Sequence, residues 1–347
     1  MTFELNLPAI PDLQDAALAA ALQHKIDRKT VPHGALGRLA ALGHRLGMVL
    51  GTAEPQLQQP QLVVFAADHG IAARGVSAYP SDVTWQMVGN FVAGGAAVSV
   101  LARQHGIAQT VVDCGVRHDF AAAPGLVLKK IAPGTADMST GPAMTAAQCA
   151  QALHNGIELV NALPGNALLL GEMGIGNTSA ASALTARLGG VDVAEVTGAG
   201  TGLDAEGIAR KTAVLRQALA ANAGASAPLA ALAALGGFEI ATMTGSVLQA
   251  ASQRRVIVVD GFIASAAVLV ACKLAPHVLQ RCVFAHQSGE RGHARLLQLL
   301  GAEPLIDLGL RVGEGSGAAL AWPLLESACR ILKEMASFES AGVSDKG

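Results

Sequence analysis

A glutamate set between two glycines, in Arg311-Val312-Gly313-Glu314-Gly315-Ser316-Gly317, is the residue of this chain best presented for proton transfer. Flanking glycines let a substrate approach the turn closely. An environment that excludes water would raise the carboxyl from its ordinary value of about 4.3 and make it a stronger base. A solvated turn carboxylate has the same spacing, so Glu314 enters as a candidate base and not as an assigned one.

A second turn is suited to an anion. The apolar run 167–170 leads through Gly171 into Glu172-Met173-Gly174-Ile175-Gly176-Asn177-Thr178-Ser179 and then into the helix-forming residues 180–188. Gly174 and Gly176 would bring backbone N–H groups up to a phosphate, and Asn177, Thr178 or Ser179 could cap the helix whose positive end faces it. Ser179 replaces the third glycine of a dinucleotide fingerprint, and no Lys-Ser/Thr pair closes a Walker loop. A capped helix packed tightly on a strand is the purely structural alternative. The run Thr197-Gly198-Ala199-Gly200-Thr201-Gly202-Leu203-Asp204 follows, trailed by Arg210 and Lys211. With the first turn it would enclose a ribose phosphate, with Lys211 as counter-charge. Lys211 on an exposed helix face fits the sequence equally well.

Two further stretches offer polar anchors beside apolar bulk, the make-up of a binding pocket. One runs from Asp68-His69-Gly70 through Ser77 to Gln86 and Met87; the other holds Ser288, Glu290 and His293. The spacing of His69, His286 and His293 is not that of a metal-binding motif, so neither a metal nor a cofactor is expected.

These residues need elements to hold them. Continuous apolar runs at 62–66, 110–112, 167–170, 256–259, 282–285 and 305–308 alternate with turns and Ala/Leu-rich helical stretches. That alternation predicts an α/β fold with a parallel sheet flanked by helices, each run being a strand covered on both faces. Asp68, Asp113, Glu172, Asp260, His286 and Glu314 each follow such a run, and ligands of open parallel sheets bind beyond the strands' carboxyl ends. Residues 1–60 read as helical and are expected to join 318–335 in a small helical subdomain, leaving 61–317 as the large α/β domain. The small, polar tail 336–347 is expected to fray.

Twenty-four basic against 26 acidic residues leave a net charge of −2, and only 3% of residues are aromatic. Neither a phosphate-neutralising surface nor base-stacking platforms follow, so nucleic acid is not an expected partner. Val256 begins the most hydrophobic stretch, 256–275, but Asp260 and Gly261 interrupt it, so it is read as buried core and no membrane partner is expected. Five scattered cysteines and an N-terminus without a basic start and apolar run suit a reducing, cytoplasmic compartment.

The ordered set AADHG at 66–70, GEMGIGNTS at 171–179, TGAGTGLD at 197–204 and LRVGEGSGAAL at 310–320 resembles the nicotinate-nucleotide:dimethylbenzimidazole phosphoribosyltransferase family. The resemblance covers about 32–332, with smaller echoes at 75–84, 134–144 and 285–293. One departure is Val31-Pro32-His33-Gly34-Ala35-Leu36-Gly37, where the family pattern is close to KPPGSLG. The resemblance implies a Rossmann-like domain with a smaller domain from separated segments, and a homodimer. It implies that a benzimidazole nitrogen attacks C1′ of nicotinate mononucleotide, releasing nicotinate and giving α-ribazole 5′-phosphate, with Glu314 as base. Under it, Glu172, Gly174, Gly176, Asn177, Thr178, Ser179, Gly200, Gly202, Lys211, Ser288 and Glu290 are the expected nucleotide set, and Asp68, Ser77, Gln86 and Met87 the azole set. Two other readings stay open: a phosphoribosyltransferase using phosphoribosyl pyrophosphate and magnesium, for which 256–262 offers one acid and no Thr/Gly-rich phosphate turn, and a non-catalytic nucleotide sensor.

Overall fold

Six parallel strands carry the architecture of the computed structural model, which describes residues 6–344. They are β1 (Gln61–Ala67), β2 (Ala108–Gly115), β3 (Leu126–Leu128), β4 (Ala167–Met173), β5 (Val256–Val259) and β6 (Cys282–Phe284), in spatial order β3-β2-β1-β4-β5-β6. The runs are continuously apolar because both faces are covered: Val63, Phe65, Leu168, Leu170, Ile257 and Val259 point into one core, and Leu62, Val64, Leu169, Val256 and Val258 into the other. The order reverses between β1 and β4, which is the switch point of the sheet.

The first core is closed by helices Ala146–Ala162, Asn177–Gly189, Phe238–Ser252 and Phe262–Leu274. The second is closed by Gly37–Leu50, Asp82–Val92, Ala97–Gln104 and Ser316–Glu334, so Leu42, Leu46 and Val49 share one core with Trp322, Leu325 and the sheet itself. The stretch 256–275 forms β5 and a buried helix. By length and composition Asp82–Gln104 would suit a membrane span, but the chain turns at 93–96, and Val88, Phe91, Val98 and Ala102 are packed in the core.

One expected strand takes a different place in the fold. Residues 305–308 are not a central strand: His286–Gln287 (β7) pairs with Ile306–Asp307 (β8) in a separate two-stranded sheet, and Leu308 is 62% exposed. The sheet's sixth member is instead the three-residue edge strand β3, too short to stand out by pattern. Residues 336–344, expected from sequence to fray, hold local structure. They carry the turn of helix Phe338–Ala341, capped by Ser337 and joined to the N-terminal region by Phe338 N donating to Arg28 O at 2.9 Å. The rest of that tail, 345–347, lies outside the described residues, as does 1–5 of the N-terminal segment.

Helices Ala146–Ala162 and Phe238–Ser252 cross with almost no space between their backbones. A Cβ on Gly156 would lie 1.9 Å from Thr242 O, and one on Gly245 would lie 2.0 Å from Leu153 O. Gly245→Ala is therefore expected to lower stability by about 1–3 kcal/mol, the usual toll of overpacking. Denaturant unfolding should register it as a lower midpoint at unchanged slope; an unchanged midpoint would mean that the helices can separate freely.

Candidate active site

The glycine turn expected from sequence to take an anion begins where β4 ends. Gly174 packs so tightly that a Cβ there would sit 2.4 Å from Ala67 O at the end of β1, and Gly176 holds φ +98° before helix Asn177–Gly189. The expected side-chain cap is not made. Asn177 Nδ2 donates to Glu172 Oε2 instead, and the Ser179 hydroxyl is fully buried with no partner among the described residues. Asn177 N and Ser179 N donate to Gly174 O and Gly176 O, both at 3.0 Å, so the Ser179 hydroxyl is left as an unused donor at this helix end.

Lys211, from helix Ala205–Ala221, is fully buried, and its Nζ donates to Thr178 Oγ1 at 2.8 Å, which overturns the exposed-face alternative. Burial draws its pKa down to about 8, partly opposed by Glu290. Glu290 in turn accepts from Gly200 N at 3.3 Å.

The glutamate turn lies opposite. Gly313, Glu314 and Gly315 are all left-handed, at φ +71°, +67° and +92°. For glutamate this conformation costs about 1–2 kcal/mol, and surrounding contacts must hold it there. Those contacts are visible: Glu314 N donates toward Glu172 Oε1 at 3.4 Å, Gly315 N to Asp260 Oδ2 at 3.2 Å, and Ala318 N to Asp260 Oδ1 at 2.9 Å. Gly171 lies beneath the turn; a Cβ there would be 2.2 Å from Glu314 O.

Burial, and then the Asp260 charge, raise the Glu314 carboxyl to about 7. The same two causes raise Glu172 to about 8, against the hydrogen bonds it receives from Asn177 and the Glu314 amide. A carboxyl at about 7 is ionised often enough at neutral pH to act as a base and is basic enough to be useful.

Between the two turns lies a cavity of about 120 Å³, or about 660 Å³ with its open mouth. Of the expected residues, Glu172, Gly174, Asn177, Thr178, Gly200, Ser288, Glu290 and Glu314 line it. Ser179 and Lys211 are buried, and Lys211 reaches the lining through Thr178; Gly202 is exposed and does not border the cavity.

The azole set stands further out. Ser77 shares a 2.9 Å hydroxyl contact with Thr201, which lines the cavity. Gln86 is exposed and Met87 half-buried on helix Asp82–Val92, whose Thr84 accepts from Ile175 N in the anion turn at 3.1 Å. Asp68 is buried, accepting from Arg117 N at 2.9 Å.

The cavity also holds His286, to which sequence reasoning gave no role, while Asp260 supports the Glu314 turn from behind. Their one sequence signal was position, each being polar at the end of a strand. A larger cavity of about 730 Å³ near Met144, Asn222 and Phe238 has no charged residue in its lining and no group able to move a proton.

A parallel sheet in this order, with a glycine turn and a carboxylate pair sharing one cavity beyond the ends of β4 and β5, defines an α/β protein with a site suited to acid–base chemistry. Residues 11–343 match the model of a family described as phosphoribosyltransferase. The chain is 71% identical, over 98% of both sequences, to nicotinate-nucleotide–dimethylbenzimidazole phosphoribosyltransferase of Variovorax paradoxus strain S110. It is 55% identical, over 99% of both, to the protein of the same name from Dechloromonas aromatica strain RCB. A crystal structure of the Thermus thermophilus enzyme of that name superposes with a TM-score of 0.92 at 41% identity, covering 96% of this chain and 100% of that one. The chain belongs to the nicotinate-nucleotide–dimethylbenzimidazole phosphoribosyltransferase family.

Proposed function

We propose that this protein transfers the 5-phosphoribosyl group of nicotinate mononucleotide to 5,6-dimethylbenzimidazole, releasing nicotinate and forming α-ribazole 5′-phosphate, with Glu314 as the general base. The observation that carries the base assignment is the half-buried Glu314 carboxyl, raised to about 7 and facing the glycine turn 174–179 across one cavity. The pyridinium leaves C1′ as an uncharged ring and needs no protonation. The entering azole bonds through one nitrogen and must lose a proton from the other, so one well-placed carboxylate supplies the assistance required. Attack opposite the leaving ring turns the β-ribosyl bond into an α one.

The phosphate is assigned to the Gly174–Ser179 turn, with Ser179 Oγ as an unused donor and Lys211 as counter-charge. The azole is assigned to the outer rim, at Ser77, Gln86 and Met87, with Asp68 behind; if Gln86→Ala leaves the preference among benzimidazoles untouched, that part of the assignment falls. A homodimer and a cytoplasmic location complete the reading, the latter supported by five free cysteines.

The direct test incubates purified protein with nicotinate mononucleotide and a panel of azoles, and identifies products by mass. Absence of nicotinate release would sink the reading, and a rate abolished by chelator would point to a magnesium-dependent enzyme instead. Lys211→Met should raise the nucleotide KM about 10- to 100-fold, the worth of one charge-assisted hydrogen bond. Because the wild-type ammonium loses its proton above about pH 8, the nucleotide KM should climb there in the wild type and stay flat in Lys211→Met.

A further inference from the structure

We infer that Asp260 is a positioning residue for the Glu314 base, gripping the backbone after it and keeping a negative charge beside it. The inference rests on the proposed phosphoribosyl transfer.

Asp260 follows β5 and is 1% exposed. Its two carboxylate oxygens accept from Gly315 N and Ala318 N, at the start of the 19-residue helix Ser316–Glu334. That helix start has no side-chain cap of its own, and the Ser316 hydroxyl is buried without a partner among the described residues, so Asp260 supplies the anion that the helix end favours. The three-residue left-handed turn, closed locally by Ser316 N donating to Gly313 O at 2.9 Å, is thus also held from β5, which lies across β4 from β1.

The charged and titratable groups around Glu314 are Glu172 from β4, Asp260 after β5, His286 in β7, Glu290 across the cavity and Arg311 on its own turn. His286 Nε2 lies 3.5 Å from Asp260 Oδ1. Asp260 is the neighbour whose charge lifts both Glu314 and Glu172, next in weight to burial. Removing that charge relieves a like-charge repulsion, which lowers the pKa of the base.

The test is the pH dependence of kcat in Asp260→Asn and Asp260→Glu, measured in the nicotinate-release assay with the wild type alongside. Asp260→Asn should move the acidic limb down by about one pH unit and lower the plateau about tenfold, because the base is weaker and less well held. Its nucleotide KM should change less than about threefold, a split that loss of general packing would not produce. Asp260→Glu keeps the charge and should keep the limb near the wild-type position while turnover falls. An unmoved limb in Asp260→Asn overturns the inference. If that variant does not fold, a limb displaced by a full unit in Asp260→Glu overturns it instead. Failure of the wild type itself to release nicotinate would refute the parent reading, and is distinguishable from either result.

Discussion

Glu314→Gln should lower kcat by about 10²–10⁴-fold, the usual contribution of a general base, while the KM values for nucleotide and azole stay within a few-fold. The amide keeps the shape and the left-handed turn but cannot take a proton. The base acts chiefly in the transition state, so the loss belongs in kcat. The pH profile provides a sharper check. Glu314 works only when ionised and its pKa is raised to about 7, so wild-type kcat should fall as pH drops through 7. In Glu314→Gln that limb should be gone. If the residual rate instead shows a limb near pH 8, the proton has gone to Glu172, whose carboxyl is raised to about 8. Near-normal turnover with the limb at 7 intact would remove Glu314 from the chemistry.

Gly171→Ala should cost kcat about 10²-fold, although the new methyl group cannot itself touch a reacting atom. Its Cβ would stand 2.2 Å from Glu314 O and 2.8 Å from Glu314 C. These are backbone atoms of a turn already in a left-handed conformation and tied to Asp260, so the turn must shift bodily, and a displacement of about 1 Å at a reacting group is enough for a loss of that size. Stability should fall as well, by about 1–3 kcal/mol. Kinetics well below the melting temperature, with circular dichroism matching the wild type, separate the two effects. Wild-type kcat in a folded Gly171→Ala protein would show that the turn slides without consequence.

Several features of this protein were determined locally and were legible in the residues. The runs at 62–66, 110–112, 167–170, 256–259 and 282–285 are strands because only a strand covered on both faces buries such a run, and the chain punctuates each with a turn. The glycine turn 174–176 was legible because it sits between a strand and a helix-forming run. The turn that carries Glu314 was legible through its two flanking glycines, which the left-handed conformation favours. The ordered motifs were enough to indicate the family.

What the tertiary structure decided concerns partners distant in sequence. Glu172 and Glu314 are 142 residues apart, yet the Glu314 amide points at the Glu172 carboxylate. Asp260 reaches 55 and 58 residues ahead to hold the same turn. Lys211 had two readings until the packing of helix Ala205–Ala221 buried it against Thr178. Residues 305–308 carry a strand-like pattern, but two of them pair with β7 in a separate two-stranded sheet instead of joining the six-stranded one. Local pattern fixes which segments are strands, helices and turns, because propensity and hydrophobic period act over a few residues. Strand order, the burial of a lysine and the pKa of a glutamate depend on which surfaces meet, and those contacts join segments too far apart for any local pattern to encode.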